Sequence, residues 1–280
     1  MPLSPLTIEN AVREALLEDL GHGFDITTQS IILSDTNAKA SFVGREEGVI
    51  AGLVIALSAF SHTDPDFEFE IFASDGEVVD PGQTIATIQG PAAALLTAER
   101  VGLNFLMHLS GIATLTRRYV LAVQGTKAKI CDTRKTLPGL RTLQKYAVRA
   151  GGGHNHRMGL DDTILIKDNH IAIAGGINEA LTRAHDNAGH TVKIEIEVDT
   201  LKQLEEVLKT KIADIVMLDN FDLPELEKAV KMVNGKLTTE ASGGVNLKTV
   251  KAIAETGVDY ISIGALTHSA PALDIGLDID

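Results

Sequence analysis

The sequence predicts an α/β protein in two parts: a mixed α+β first third, then a series of strand–helix units. Three observations carry this. From residue 127 onward, short apolar runs rich in β-branched residues (128–131, 163–166, 192–196, 214–218, 236–239 and 260–263) alternate with segments of helical period at 177–188, 201–208, 223–232 and 247–255. After the first unit these recur at roughly 22 to 30 residues, about the length of one βα unit. Before residue 127 the pattern instead has strands closed by turn residues, which suits antiparallel pairing. Repeated right-handed crossovers leave two architectures open for the later part, a barrel or an open doubly wound sheet.

Taken in order, residues 6–20 have helical spacing through Ile8, Val12, Ala15, Leu16 and Leu20, and Gly21 stops the run. Residues 21–28 are expected as a loop in which Asp25 and Thr27 are candidate caps. Residues 38–43 and 48–53 are expected strands around a turn at 44–47, followed by a short apolar helix at 53–60. In 67–73, Phe67, Phe69 and Ile71 fall on one side of a half-exposed strand. Asp75-Gly76 and Asp80-Pro81-Gly82 are turn chemistry, and 84–88 is the next strand. Pro91 suits the first turn of a long helix that is apolar nearly all round, which implies burial and leaves Glu99 and Arg100 needing partners. Ser110-Gly111 is expected to break that helix, with a second at 112–124, and the two mark a candidate domain boundary.

Composition excludes several classes. The chain has 280 residues, 44% of them apolar, enough for a substantial core in one large or two modest domains. The single cysteine, Cys131, rules out an internal disulfide framework, agrees with a reducing compartment, and is expected as buried strand filler. No apolar run approaches the roughly 20 residues of a membrane span, and Met1-Pro2-Leu3-Ser4-Pro5 has neither a basic start nor an apolar signal core. The expectation is a soluble cytoplasmic protein. A net charge of −13 with 4% aromatic residues argues against nucleic-acid binding.

Against that acidity, residues 127–170 hold nine Lys/Arg and four Asp, an island suited to a small, highly charged anion. Arg141, Lys145 and Arg149 lie four apart on one helical face and also fit a solvated basic surface. Arg134, Lys135, Arg157 and Lys167 sit beside Gly or Pro, or at the end of an apolar run, where loops carry sites. Each apolar run ends in charged, polar or glycine residues: Asp132-Thr133-Arg134-Lys135, Lys167-Asp168-Asn169-His170, Glu197, Asp219-Asn220, Ser242-Gly243-Gly244 and Gly264-Ala265. In a β/α barrel such ends meet at one mouth. Acids belong beside an anion only if a cation mediates, and Mg²⁺ held by Glu197, Asp219 and substrate oxygens fits both charge sets. The glycines of the last two loops suit a phosphate. Arg134 and Arg157 can grip carboxylate or phosphate through paired hydrogen bonds, and Lys135 and Lys167 add point charges.

These residues carry a resemblance. Asp132-Thr133-Arg134-Lys135-Thr136-Leu137-Pro138-Gly139-Leu140-Arg141, Lys145-Tyr146-Ala147-Val148, Gly151-Gly152-Gly153-His154-Asn155-His156-Arg157-Met158-Gly159-Leu160 and Leu165-Ile166-Lys167-Asp168-Asn169-His170 resemble the quinolinate phosphoribosyltransferase family, across essentially the whole chain. The resemblance implies a sandwich-like N-terminal α+β domain (1–110) and an incomplete, TIM-like β/α barrel of the type II phosphoribosyltransferase kind (111–270), with the tail 271–280 returning to the N-terminal sheet. It implies conversion of quinolinate and phosphoribosyl pyrophosphate (PRPP) to nicotinate mononucleotide, pyrophosphate and CO₂, with Mg²⁺, in NAD biosynthesis.

It also implies roles. Arg134, Lys135, His156, Arg157 and Lys167 match the quinolinate grip, and Thr133 falls within the first binding motif. Glu197 and Asp219 match the metal and ribose carboxylates, and Ser242, Gly243, Gly244, Ile263, Gly264 and Ala265 match the phosphate loops. Arg100 matches an arginine that reaches the neighbouring subunit's site in a dimer or dimer-based oligomer. Strand alternation puts Glu195 on the face of Glu197, as a candidate supporting partner. The expected chemistry loses pyrophosphate through an oxocarbenium-like transition state facing Glu197 or Asp219, with the pyridine nitrogen as nucleophile and then as electron sink for decarboxylation. Lys135 or His156 would shape that end of the site. Two rivals stand beside this: a molybdenum-associated anion-binding paralogue on the same scaffold, and a non-catalytic binding protein.

Overall fold

The structure, a computed structural model, describes residues 2–280. In chain order its elements begin with α1 (Pro5–Leu20), α2 (Ile26–Ile31), β1 (Asn37–Gly44), β2 (Gly48–Val49), α3 (Leu53–Thr63), β3 (Glu68–Ile71), β4 (Val78–Val79), β5 (Thr84–Pro91) and α4 (Ala92–Ala122). There follow β6 (Lys129–Cys131), α5 (Arg141–Ala150), β7 (Ile164–Ile166), α6 (Asp168–Ala174), α7 (Ile177–Asn187), β8 (Ile194–Val198) and α8 (Leu201–Thr210). The last are β9 (Ile215–Asp219), α9 (Leu223–Val233), β10 (Thr238–Ser242), α10 (Val250–Glu255), β11 (Tyr260–Ser262), α11 (Ala265–His268) and β12 (Ile275–Ile279). They form two compact units. One comprises the described residues up to 117 with 137–152 and 269–280, and the other 118–136 and 153–268.

The first unit is built on the antiparallel sheet β12-β1-β5-β3, in which the C-terminal strand pairs with β1. Phe42, Phe60 and Phe67 pack edge to face at 5.7 and 5.8 Å between ring centres, an arrangement the ring quadrupoles favour. Several local expectations fail here for physical reasons. The stretch 21–28 is not all loop: Asp25 accepts the Thr28 amide at 3.0 Å and its hydroxyl at 2.5 Å, and this cap supports the short helix α2. β1 and β2 do not pair across the turn at 44–47, because β1 joins β5 and β12 while β2 pairs with β4 in a separate two-stranded sheet. The half-exposed strand expected at 67–73 is found as β3, with Phe67 buried just before it and Ile71 exposed at its end.

Ser110-Gly111 does not break the long helix, since α4 runs unbroken for 31 residues. Gly111 stands where Pro271 crosses: a Cβ there would lie 2.0 Å from the Pro271 carbonyl oxygen. The buried Ser110 hydroxyl accepts from the Ala51 amide at 3.0 Å. Both residues serve packing, and a helix tolerates one glycine at about 1 kcal/mol. The basic helix face is likewise not simply solvated. Lys145 is fully buried on α5, which clusters with the first unit, while Arg149 is exposed.

In the second unit six parallel strands are ordered β6-β11-β10-β9-β8-β7. Five consecutive strands run side by side, and the first, β6, lies beside the last, β11. That cyclic order belongs to a barrel left open between β6 and β7, not to a doubly wound sheet, whose order would reverse at a switch point. Every residue of β8 is buried, as expected of a strand covered on both faces. Among the described residues no helix is long and apolar enough to cross a membrane.

Candidate active site

The ends of the barrel strands enclose a cavity of about 420 Å³. Its lining includes Thr133, Arg134, Lys135, His156, Arg157, Lys167, Glu197, Asp219 and Ser242, all expected from the sequence, together with Leu165, Met217, Glu240 and Ser262. Most of the charged side chains are placed at or beyond a strand end, while Leu165, Met217 and Glu240 lie within β7, β9 and β10. After β6, the Thr133 hydroxyl accepts the Lys135 amide at 3.0 Å, and the Lys135 carbonyl accepts the Thr267 hydroxyl at 2.8 Å. The Lys135 stem lies over Gly264, where a Cβ would come within 2.9 Å of Lys135 Cδ. Gly264 therefore does not line the cavity but leaves room for a residue that does.

Buried Asp132 holds the next segment. Its carboxylate accepts the Asn155 side-chain amide at 2.6 Å and the His156 backbone amide at 2.9 Å. The Arg157 guanidinium donates to the Thr163 carbonyl at 3.0 Å. Burial, then the charge of Arg134, holds Arg157 below the usual guanidinium range. Two arginines that repel across a cavity are what an anion would relieve. The loop between them and β7 is tied by Asp162, which accepts the Met158 and Gly159 amides at 2.5 and 3.1 Å. Burial pushes this carboxyl up, but those amides outweigh it and hold it below the usual carboxylate range.

Opposite charges meet at the rim. The Lys167 ammonium pairs with Glu197, and Asn220 donates to Asp219 at 2.7 Å. Carboxylate oxygens of Glu197, Asp199 and Asp219 all lie within 4.8 Å of one another. Three hard oxygen donors so close fit Mg²⁺, which keeps several waters and takes few protein ligands. Asp199 was not singled out from the sequence because it stands one residue beyond β8, where an acid reads as a turn residue.

Deeper lies a second cluster. His156 Nε2 is 3.2 Å from Glu195 and 3.6 Å from Glu240. Burial first, then the Glu195 charge, pushes the Glu240 carboxyl up to about 7. The Ser262 hydroxyl faces Glu240 and eases that shift, though outside hydrogen-bonding geometry.

Not every expected residue lines the cavity. Gly243 and Gly244 are exposed beyond Ser242 with positive φ of 95° and 62°, and the helix that follows begins only at Val250. Ile263 is buried, and its amide already donates to the Cys131 carbonyl at 2.9 Å. Ala265 starts α11. Arg100 is exposed on α4, in the first unit, and is not among the lining residues.

Residues 112–278 match the quinolinate phosphoribosyl transferase C-terminal domain, and 25–110 match the N-terminal domain of the same family. The chain is 48% identical over 275 residues to a nicotinate-nucleotide pyrophosphorylase (carboxylating) of Mycobacterium leprae, covering 96% of each. It superposes on the crystal structure of nicotinate-nucleotide pyrophosphorylase from Ehrlichia chaffeensis with a TM-score of 0.94 at 44% identity, covering all of both chains. With NadC from Streptococcus pyogenes the TM-score is 0.95 at 40% identity, over 100% of this chain and 99% of that one. The strand-end cavity, the two domain matches and these full-length likenesses agree: the chain belongs to the quinolinate phosphoribosyltransferase family, the carboxylating nicotinate-nucleotide pyrophosphorylases.

Proposed function

We propose that this chain joins quinolinate to the ribose of PRPP within the strand-end cavity, releasing pyrophosphate and CO₂ and forming nicotinate mononucleotide for NAD biosynthesis. The observation that carries the reading is one cavity in which Arg134, Lys135, His156, Arg157 and Lys167 face Glu197 and Asp219. The basic set suits a pyridine dicarboxylate, with the arginines gripping carboxylates and the lysines adding charge. Glu197 and Asp219, with Asp199 beside them, would hold Mg²⁺, which when bound neutralises pyrophosphate oxygens.

The residues of the chain then do three things. Arg134, Arg157 and Lys167 hold the pyridine so that its nitrogen faces the ribose carbon, and positioning supplies much of the acceleration because two polyanions must be brought together. As the bond to pyrophosphate lengthens, positive charge grows on the ribose, and the carboxylates of Glu197 and Asp219 face it. Lys135 lies at the cavity edge, its stem held over Gly264, and supplies charge to the departing pyrophosphate. Once nitrogen carries the ribose it is positive, and its charge stabilises the electron pair left on the adjacent ring carbon when CO₂ departs. Ser242 and the glycines beyond it are the proposed seat of the 5′-phosphate.

The protein acts in the cytoplasm as a homodimer or dimer-based oligomer in which Arg100 reaches the neighbouring site. The exposed position of Arg100 on the mainly apolar first half of α4 supports this. Incubation with quinolinate, PRPP and Mg²⁺ should release CO₂ and nicotinate mononucleotide, and nicotinic acid in place of quinolinate should give little product because the second carboxylate has lost its grip. Absence of CO₂ would overturn the reading and favour an anion-binding role.

A further inference from the structure

Two acids in the lower part of the cavity, beside His156, are not used by the steps above. Glu195 on β8 and Glu240 on β10 stand two strands apart in the barrel, 1% and 5% exposed, with His156 Nε2 between them at 3.2 and 3.6 Å. One oxygen of each carboxylate, Oε1, has no hydrogen-bond partner. Two acids and a histidine this close could hold a metal ion. The ring orientation argues against that. The Arg157 backbone amide donates to His156 Nδ1 at 2.7 Å, so in the neutral ring the proton sits on Nε2, the atom that faces the carboxylates. A nitrogen bearing a proton cannot ligate a metal. The cluster is arranged around protons instead.

With Nδ1 taken up by that amide, Nε2–H is the one donor the ring offers to two buried acids. Such a pair relieves its repulsion by keeping one proton. Glu240 is the member that holds it, and it is also the one that lines the cavity. The charged and titratable groups facing it are few: Glu195 on β8, His156 on the segment after β6, and Asp132 at the end of β6, with the Ser262 hydroxyl on β11. On β9 its register partner is Met217, which brings no charge, and on β11 it is the phenol-bearing Tyr260.

We infer that Glu240 supplies the proton that replaces the lost carboxylate of the pyridine ring. This rests on the function proposed above and assigns one step of it. The bond between the ring carbon and its carboxylate breaks, CO₂ leaves, and the electron pair stays on the ring carbon. As that bond breaks, the carbon takes the proton from the Glu240 carboxyl in the same step, so the rate of CO₂ release reads the transfer; Glu240 becomes a carboxylate and regains a proton from solvent before the next turnover. The Nε2 proton of His156 steadies the carboxylate so formed, and Glu195 keeps Glu240 protonated at the start of the cycle.

The test is single-turnover release of CO₂ from wild type, Glu240→Gln and Glu240→Asp with quinolinate, PRPP and Mg²⁺, followed from pH 6 to 9, alongside calorimetric binding of quinolinate. In wild type the rate should fall as pH rises through about 7. In Glu240→Gln it should drop roughly 100-fold and lose that limb, as expected when a general acid is removed. Quinolinate affinity should stay within about threefold of wild type, a split that a purely structural residue would not give. Glu240→Asp, which keeps an acid, should restore the limb. A wild-type rate that is flat over this range overturns the assignment without recourse to any variant. So does a Glu240→Gln protein within about threefold of wild type. If wild type itself releases no CO₂, the functional reading fails and this step with it; if wild type turns over and only the limb is missing, the proton assignment fails alone.

Discussion

Glu195 and Glu197 are the same residue type on one strand, two positions apart, facing the same side, yet the protein relieves their charges in opposite ways. At the rim Glu197 meets the Lys167 ammonium. On the floor Glu195 meets a histidine whose proton sits on Nε2, and a second acid, Glu240. A carboxylate beside a lysine stays charged and can exchange that partner for another cation. A carboxylate beside a carboxylate makes its neighbour hold a proton, and Glu240 accordingly sits near 7. On the proposed reading the rim serves anions and a metal, and the floor a proton.

The largest effect that can break this contrast lies at the rim. Glu197→Gln should lower kcat/KM for PRPP by about 100-fold or more, because it removes a charge that acts on the developing ribose cation. Lys167→Ala should lower kcat/KM for quinolinate by roughly 10- to 100-fold, the range for losing one charge-assisted contact. Steady-state kinetics with each substrate varied in turn separates the two. Should Lys167→Ala affect PRPP alone, the rim would not be divided between the substrates as proposed.

The floor has a signature in stability as well as in rate. The Glu240 carboxyl is raised from 4.5 to about 7 in the folded protein. A raised acid favours the folded state fully below its unfolded value, and that contribution is lost as pH rises through the folded value. Wild type should therefore lose stability between about pH 5 and 8. Glu240→Gln, which cannot ionise, should match wild type in Tm near pH 5 and exceed it at pH 8. Thermal unfolding of both proteins at the two pH values checks the sign. A variant less stable than wild type at pH 8 would show that Glu240 is satisfied as a carboxylate, and the floor would then resemble the rim.

The rim was legible in the sequence and the floor was not, and the reason is geometric. Lys167 and Glu197 come at or near the ends of apolar runs, so they stand out as polar residues where a strand should open onto a mouth. Glu240 and Ser262 lie within β10 and β11. In a run such as Thr238-Thr239-Glu240-Ala241-Ser242 nothing shows that the acid points inward. Strand alternation put Glu195 on the face of Glu197 but could not supply the partner two strands away that changes its chemistry. The same limit hid the role of Gly111. A glycine in a helical run reads as a break unless one knows that Pro271, 160 residues later, crosses over it.

A smaller effect sharpens how the rim is held. Asn220 donates to Asp219 at 2.7 Å and itself sits at a positive φ of 56°. A partner that only orients a carboxylate typically changes metal affinity or activity about 10-fold or somewhat more when removed. Asn220→Ala should raise the Mg²⁺ concentration needed for half-maximal rate by about that factor and leave quinolinate KM unchanged. An effect on quinolinate instead would assign Asp219 to the wrong substrate.

The smallest expected effect is the control for the whole contrast, because it repeats the rim's chemistry at the other end of the same strand. Lys193 precedes β8 and pairs with Asp214 at 2.6 Å, as Lys167 pairs with Glu197 at the strand's far end. The bond lowers the Asp214 carboxyl against the opposing effect of burial. But the Lys193 side chain is 65% exposed, while Glu197 is nearly covered. An exposed pair contributes at most about 1 kcal/mol after solvent screening. Lys193→Ala should therefore leave kcat and both KM values unchanged and shift Tm by a few degrees at most, and added salt should shrink even that. The ion pairs differ in place: one closes the start of a strand, the other lines the strand-end cavity. If Lys193→Ala reduced activity as Lys167→Ala does, location at the strand end would explain nothing, and the strand-end cavity would lose its claim to be the site.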